Sequence, residues 1–294
     1  MVRRCRAPQG RSMSTEIGFR LLKVGHCSHP ECIAQRGGRF TAVPFPALAC
    51  LLIHPRHGPM LFDTGYSDAF FAATQRFPER LYRLVTPVSL NPGESLTMQL
   101  GLHGFAPDDI KHLFVSHLHA DHIAGIGDYP RAKIFVMRAE VEAMRRASRM
   151  GGLRRGYLRM LLPDRFDMSL TYVDDCPRVA LPDSMRPFRY GFDLLGDGSL
   201  TGVPLPGHTA GQLGLLFKTT EARTVFLVAD ACWSLDALRH DRAPTWIASQ
   251  LFADKREYLS TFAALRQVLA RQESLMMVPS HCESTWKQLS DEAR

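Results

Sequence analysis

The 294-residue chain, 45% hydrophobic and 22% charged, is long enough to bury a large core and has the composition of an ordinary soluble globular protein. Its net charge of +7 and pI of about 9.2 admit nucleic acid, anionic surfaces or acidic ligands as partners, but bear on association rather than fold. Seven cysteines without paired spacing exclude a disulfide framework and point to a reducing compartment, and no apolar run approaches the roughly 18 residues of a membrane span.

Taken in order, residues 1–14 carry Arg3, Arg4, Arg6 and Arg11 with no apolar stretch behind them. A secretory signal needs about 7–15 apolar residues, so this segment reads as a disordered basic tail, with Met1 or Met13 as the start and the cytoplasm as the compartment. Residues 15–294 read as a single domain. Ile17 to Gly25 and Ala47 to His54 read as strands, as does Met60-Leu61-Phe62 with Asp63-Thr64-Gly65 as its exit turn. Between the first two lies His26-Cys27-Ser28-His29-Pro30-Glu31-Cys32, whose spacing is not that of a zinc finger or ribbon, so a loop near a site mouth is expected there. Helices are expected over Gly93–Gly104, at Pro107-Asp108-Asp109, over Ala139–Ser148 and over Ala253–Arg271. Strands are expected at Lys133–Met137, Leu213–Phe217 and Thr224–Ala229. Strand runs followed by helices, twice over, predict an α/β fold of two sheets sandwiched between helices.

Four of the strand-like runs stop at metal-grade side chains. Leu113-Phe114-Val115 leads into Ser116-His117-Leu118-His119-Ala120-Asp121-His122, and later runs end at His208, Asp230 and His281. Residues two apart on an extended or turning chain point the same way, so His117 and His119 can share one ion, while Asp121 and His122 serve a second. Ligands at strand ends converge on one edge of a sheet. Five histidines and two aspartates without thiolate suit Zn²⁺, with Mn²⁺, Fe²⁺ or Co²⁺ as alternatives. A carboxylate between two ions holds them roughly 3.5–4 Å apart, and Asp230 takes that role.

The pattern HxHxDH, then GHT-x-G, a strand-end Asp and a late His resembles the metallo-β-lactamase superfamily of dinuclear metallohydrolases, from Leu61 through His281. Within it, Pro107-Asp108-Asp109-Ile110, Ser116-His117-Leu118-His119 and Arg138-Ala139-Glu140-Val141-Glu142 are similar to phrases of the N-acyl-homoserine lactonase branch, whose activity is quorum quenching. The resemblance implies the αββα sandwich. It implies one metal on His117, His119 and His208, and another on Asp121, His122 and His281, with Asp230 shared and Asp63 orienting ligands from behind. It also implies hydrolysis of a lactone or related acyl ester by a bridging hydroxide, with Asp121 and Asp230 as the catalytic carboxylates and no covalent enzyme intermediate. Such lactonases have a tyrosine three residues after the shared aspartate; this chain has Trp233, so Tyr157 or Tyr66 is the candidate replacement. The alternatives are a phosphodiesterase or nuclease of the same superfamily, which the basic charge favours, and a non-hydrolytic iron dioxygenase-type relative.

The segment 138–165 holds eight arginines against three acids, a net of +5 out of the chain's +7. Leu153, Tyr157, Met160 and Leu161 recur at helical spacing beside this cationic face. It reads as a helical basic insert and substrate lid. Tyr157, Leu158 and Leu161, with Trp233, are its expected contacts to an acyl chain of medium or greater length. The expected partner is a small acyl-bearing molecule rather than nucleic acid, and a homodimer is left open.

Overall fold

The computed structural model describes residues 15–272 and 274–292, so the expected basic tail lies outside the described residues. Thirteen strands form two mixed sheets. The first comprises β1 (Gly18–Pro30), β2 (Ala42–His54), β3 (Gly58–Phe62), β4 (Val88–Ser89), β5 (His112–Phe114), β6 (Lys133–Val136) and β7 (Leu170–Tyr172), in the order β4-β1-β2-β3-β5-β6-β7. The second comprises β8 (Arg178–Ala180), β9 (Tyr190–Asp193), β10 (Leu200–Pro204), β11 (Leu213–Lys218), β12 (Thr224–Ala229) and β13 (Leu275–Pro279), in the order β13-β12-β11-β10-β9-β8.

The apolar runs are unbroken rather than alternating because both faces of each sheet are covered. Successive residues are dealt to opposite layers. In β2, Leu52 packs between the sheets while Leu51 faces the helices outside; in β12, Leu227 faces inward and Phe226 and Val228 face the outer layer. Three apolar layers result, one between the sheets and one under the helices on either side, which is the αββα order expected from the sequence. The helix at Lys255–Arg271 covers the second sheet and starts where Asp254 caps the Arg256 and Glu257 amides at 2.7 and 2.9 Å. No helix among the described residues is long and apolar enough to cross a membrane.

Strands β3, β5, β6 and β7 run parallel to one another, and β12 runs parallel to β13. Their carboxyl ends therefore open at common edges of the sandwich, with Asp63 after β3, the histidine motif after β5, Asp230 after β12 and His281 after β13.

The basic segment departs from expectation. It is not one amphipathic helix but helices at Arg138–Arg146 and Arg149–Arg154 followed by a 3₁₀ turn at Arg159–Leu161. The break falls at Gly156, whose φ of +81° favours glycine and whose added Cβ would stand 2.8 Å from the His119 ring. Helical spacing across that point therefore had no helix behind it. Strand β1 likewise runs on through His26–Pro30 and makes those residues strand rather than loop, with Cys27 and His29 on its cavity-facing side.

Candidate metal centre

Each ligand loop is tied to the scaffold before any side chain acts. The Thr64 amide donates to the His122 carbonyl at 2.8 Å, the Leu213 amide to Ser116 at 2.9 Å, and the Ala253 amide to His208 at 3.0 Å. Gly207 precedes His208 at φ +124°, with its Cα against the start of the Lys255–Arg271 helix; a Cβ there would lie 2.1 Å from the Tyr258 nitrogen. Asp63 and Ala229 both adopt the left-handed region, at φ +60° and +47°, which non-glycine residues occupy at a cost the surroundings must hold. One is itself a site carboxylate and the other immediately precedes Asp230.

All seven candidate ligands meet. Three groups of donors lie together: His117, His119 and His208; His117, His122 and Asp230; and Asp121, His122 and His281. The His119 Nδ1 and His208 Nε2 atoms are 3.1 Å apart. Asp230 stands between the sets, with Oδ1 3.3 Å from His122 Nε2, and Oδ2 3.1 Å from His281 Nε2 and 3.3 Å from His208 Nε2. Asp121 Oδ2 is 3.4 Å from His281 Nε2.

The outer ring nitrogens show which way the inner lone pairs point. The Nδ1–H of His281 donates to the Pro46 carbonyl at 2.7 Å, and that of His122 to Asp63 Oδ2 at 2.7 Å. His117 Nδ1 lies 2.9 Å from Ser116 Oγ, which itself donates to Asp63 at 2.8 Å. Protons on Nδ1 leave Nε2 as the inward acceptor, the arrangement that fixes imidazole ligands. The inward atoms His117 Nε2, His122 Nε2 and Asp230 Oδ1 are buried and have no hydrogen-bond partner. Buried unpaired acceptors are costly, and two divalent cations, one on His117 and one on His122 with Asp230 common to both, would satisfy all three. Two donors on a tetrahedral zinc ion with bonds near 2.0–2.1 Å stand roughly 3.3 Å apart, in line with the separations observed here. The residues present fit a pair of such ions.

Electrostatics agree with this geometry. Burial holds His117 and His208 well below the usual histidine range, as neutral lone-pair donors. At His122 burial pulls the same way, but Asp63, Asp121 and Asp230 overcome it and draw positive charge to that point. Asp230 is held well below the carboxylate range, the upward push of burial being outweighed by His281, His122 and His208.

A cavity of about 540 Å³ opens onto His119, Asp121, His208, Asp230 and His281, and is otherwise walled mainly by apolar side chains. Leu81, Val85, Met150 and Ile247 line it and remain between 40% and 69% exposed, so the apolar wall continues to the surface. Trp233 also lines it. Tyr157, Leu158 and Leu161, expected as substrate contacts, do not: they are 5%, 2% and 4% exposed and belong to the core under the first sheet. The stripe is split because the chain turns at Gly156: Tyr157 and Leu161 pack inward, Met160 is exposed, and Leu153 meets the cavity with Met150, Arg154 and Gly156. Of the two tyrosines considered as replacements at the Trp233 position, only Tyr66 lines the cavity. Six of the eight arginines in 138–165 are bound to protein groups, including Arg138 to Asp175, Arg145 to Asp167 and Arg149 to Glu79 at 2.6–2.8 Å. Four of the eight face a carboxylate, so half of the expected steering charge is paired.

Sequence reasoning alone assigns Glu140 no role. It is fully buried, and its two oxygens accept the Leu118 and Gly211 amides at 3.0 Å each, joining the His117–His119 loop to the loop after His208. The available signal was an acid beside Val141 and Met144 on the buried side of its helix.

A second group, His54, His57 and Asp197, has metal-like spacing. His54 Nδ1, however, accepts the Arg56 and His57 amides at 3.1 Å, so the ring proton sits on Nε2, facing Ser199 Oγ at 3.1 Å and Asp197 Oδ2 at 3.4 Å. An N–H cannot ligate. With Arg56 also on Asp197, this group staples the β2–β3 turn to the loop before β10.

A family model described as the metallo-beta-lactamase superfamily matches residues 46–268. An N-acyl homoserine lactonase AttM from Azorhizobium caulinodans is 26% identical over 278 residues, covering 92% of this chain and 95% of that protein. Its counterpart from Rhizobium radiobacter is 29% identical over 238 residues, covering 80% and 84%. Among solved structures, a Bacillus thuringiensis AiiA variant with N-decanoyl-L-homoserine bound at its active site superposes with a TM-score of 0.69 at 18% identity, over 94% of this chain and 97% of that one. AidC, a dizinc quorum-quenching lactonase in complex with a product, gives 0.64 at 17% identity over 92% and 88%. These superpositions are likenesses of fold.

Proposed function

The chain belongs to the metallo-β-lactamase superfamily, and from that premise we propose that it is a two-metal hydrolase that opens the lactone ring of N-acyl homoserine lactones. The observation that supports this reading is that Asp230, on a largely apolar cavity, stands within 3.3 Å of His208, His122 and His281, which belong to different donor groups. The lactonase names of the AttM relatives, which align along 80–92% of the chain, support the choice of substrate.

His117, His119 and His208 would hold one ion and Asp121, His122 and His281 the other, with Asp230 common to both. Zinc suits this nitrogen and oxygen shell. When bound, a pair of divalent ions supplies hydroxide near neutral pH and polarises the acyl oxygen under attack. The chain's own contribution is orientation. Asp63, Ser116 and the Pro46 carbonyl aim the imidazoles, Glu140 joins two ligand loops, and the apolar walls exclude bulk water while seating the acyl chain. Asp121 is the most exposed member of the set and lines the cavity. To it we assign the transfer of a proton from attacking water to the ring oxygen as the acyl carbon–oxygen bond breaks, leaving a carboxylate and a free hydroxyl.

The phosphodiesterase reading loses part of its support, since half of the eight arginines in 138–165 are in ion pairs. Hydrolysis of an N-acyl homoserine lactone, a thioester and a phosphodiester, followed by proton release, tests the assignment. Lactones of about four to about twelve acyl carbons extend it: burial of the tail at roughly 0.8 kcal/mol per methylene raises kcat/KM about fourfold per methylene until the cavity is filled. Val85→Asp flattens that series. Preference for the phosphodiester, or a flat series in the parent, contradicts the reading.

A further inference from the structure

Trp233 lies between two cavities. It lines the apolar one at the metal centre and also a second one of about 550 Å³ bordered by Glu31, Asp236 and Lys287. Its indole Nε1–H donates to Asp230 Oδ2 at 3.1 Å. The same oxygen faces His281 and His208, while Oδ1 faces His122. Asp230 is thus the one carboxylate that must satisfy both donor sets, and its plane decides whether it can. The backbone alone is a weak guide, because the residue before it occupies the sparsely populated left-handed region. An indole N–H is donor-only and does not titrate. It can hold the carboxylate without competing for a cation. The ring is itself held edge-on by Phe252 and His208, each with centroids 6.1 Å away, and Phe252 stacks on Tyr258 at 4.1 Å.

Resting on the two-metal reading, we propose that Trp233 is a positioning residue of the metal centre: its N–H clamps Asp230 Oδ2 in the plane that lets one carboxylate serve both ions. It follows that this N–H is not the donor that meets the substrate carbonyl, although the indole stands in the cavity wall.

Two substitutions separate the hydrogen bond from the packing. Trp233→Phe keeps the ring and loses the donor. Trp233→Gln loses the ring but carries an N–H the same number of bonds from Cβ. Parent and variants, each loaded with Zn²⁺ and confirmed folded by circular dichroism, are titrated with a chelator of known zinc affinity while retained metal is counted. Removing a partner behind a ligand weakens metal retention about 10–100-fold. Trp233→Phe is therefore expected to release zinc at 10–100-fold lower chelator, and Trp233→Gln to lie nearer the parent. Retention by Trp233→Phe equal to the parent, or better than by Trp233→Gln, overturns the proposal in favour of a packing role. A parent that holds only one ion overturns the two-metal reading before any variant is compared.

Discussion

Replacing Glu140 with alanine separates a structural carboxylate from a solvated one. Glu140 is fully buried and spends both oxygens on backbone amides, Leu118 and Gly211, at 3.0 Å. The two amides belong to different ligand loops, and no other acceptor is assigned to either. Each buried amide left without a partner costs about 1–3 kcal/mol, so Glu140→Ala is expected to destabilise the metal-free protein by about 2–6 kcal/mol. Glu140→Gln keeps one acceptor but turns an amide N–H toward the other backbone N–H, and falls between alanine and the parent. Glu142, on the same helix, supplies the control: it pairs with Arg146 at 2.7 Å on the surface, and Glu142→Ala costs less than about 0.5 kcal/mol. Urea denaturation of the three variants and the parent, all stripped of metal, gives the values directly. A loss below about 0.5 kcal/mol for Glu140→Ala would refute the bracing role.

Asp230→Asn keeps the shape of the shared ligand and removes its charge; the variant is expected to stay folded, hold fewer than two ions and lose at least about 100-fold in kcat. Two ions with near-parental turnover would show that the residue is not shared. His112 packs against Phe114 and Phe135, and burial pushes its imidazole down to about 4. Between about pH 6.5 and 4 the unfolded chain takes up a proton that the folded one refuses, so His112 removes stability as pH falls. Its partial solvent contact limits the effect to about 1 kcal/mol at pH 5. His112→Phe should reduce the loss of urea stability between pH 7 and pH 5 by that amount, and an unchanged pH profile would contradict it.

The candidate ligands were legible in the sequence because each group follows an apolar run that becomes a buried strand, and strands sharing an edge bring their ends together. His117, His208, Asp230 and His281 needed no knowledge of loop geometry to be gathered. What the sequence hid is chain direction at single residues. Leu153 and Tyr157 share a helical spacing, yet the left-handed turn at Gly156 ends the helix and sends Tyr157, Leu158 and Leu161 into the core. The charge of 138–165 read as a face, whereas most of its partners, such as Glu79, Asp167 and Asp175, lie outside the segment. Glu140 was invisible because a buried acid is recognised by what it bonds, and the amides of Leu118 and Gly211 lie 22 and 71 residues away. Trp233 reads from the sequence as a substrate contact; its bond to Asp230 emerges only with the turn after β12 in place.

If two ions share one carboxylate and together open a lactone ring, both must be bound before activity is complete. Metal-free protein titrated with Zn²⁺, with bound metal and N-decanoyl homoserine lactone opening measured on each sample, tests it most directly. Ring opening is expected to reach its plateau at two ions per chain. A plateau at one ion, or no ring opening with two bound, would contradict it.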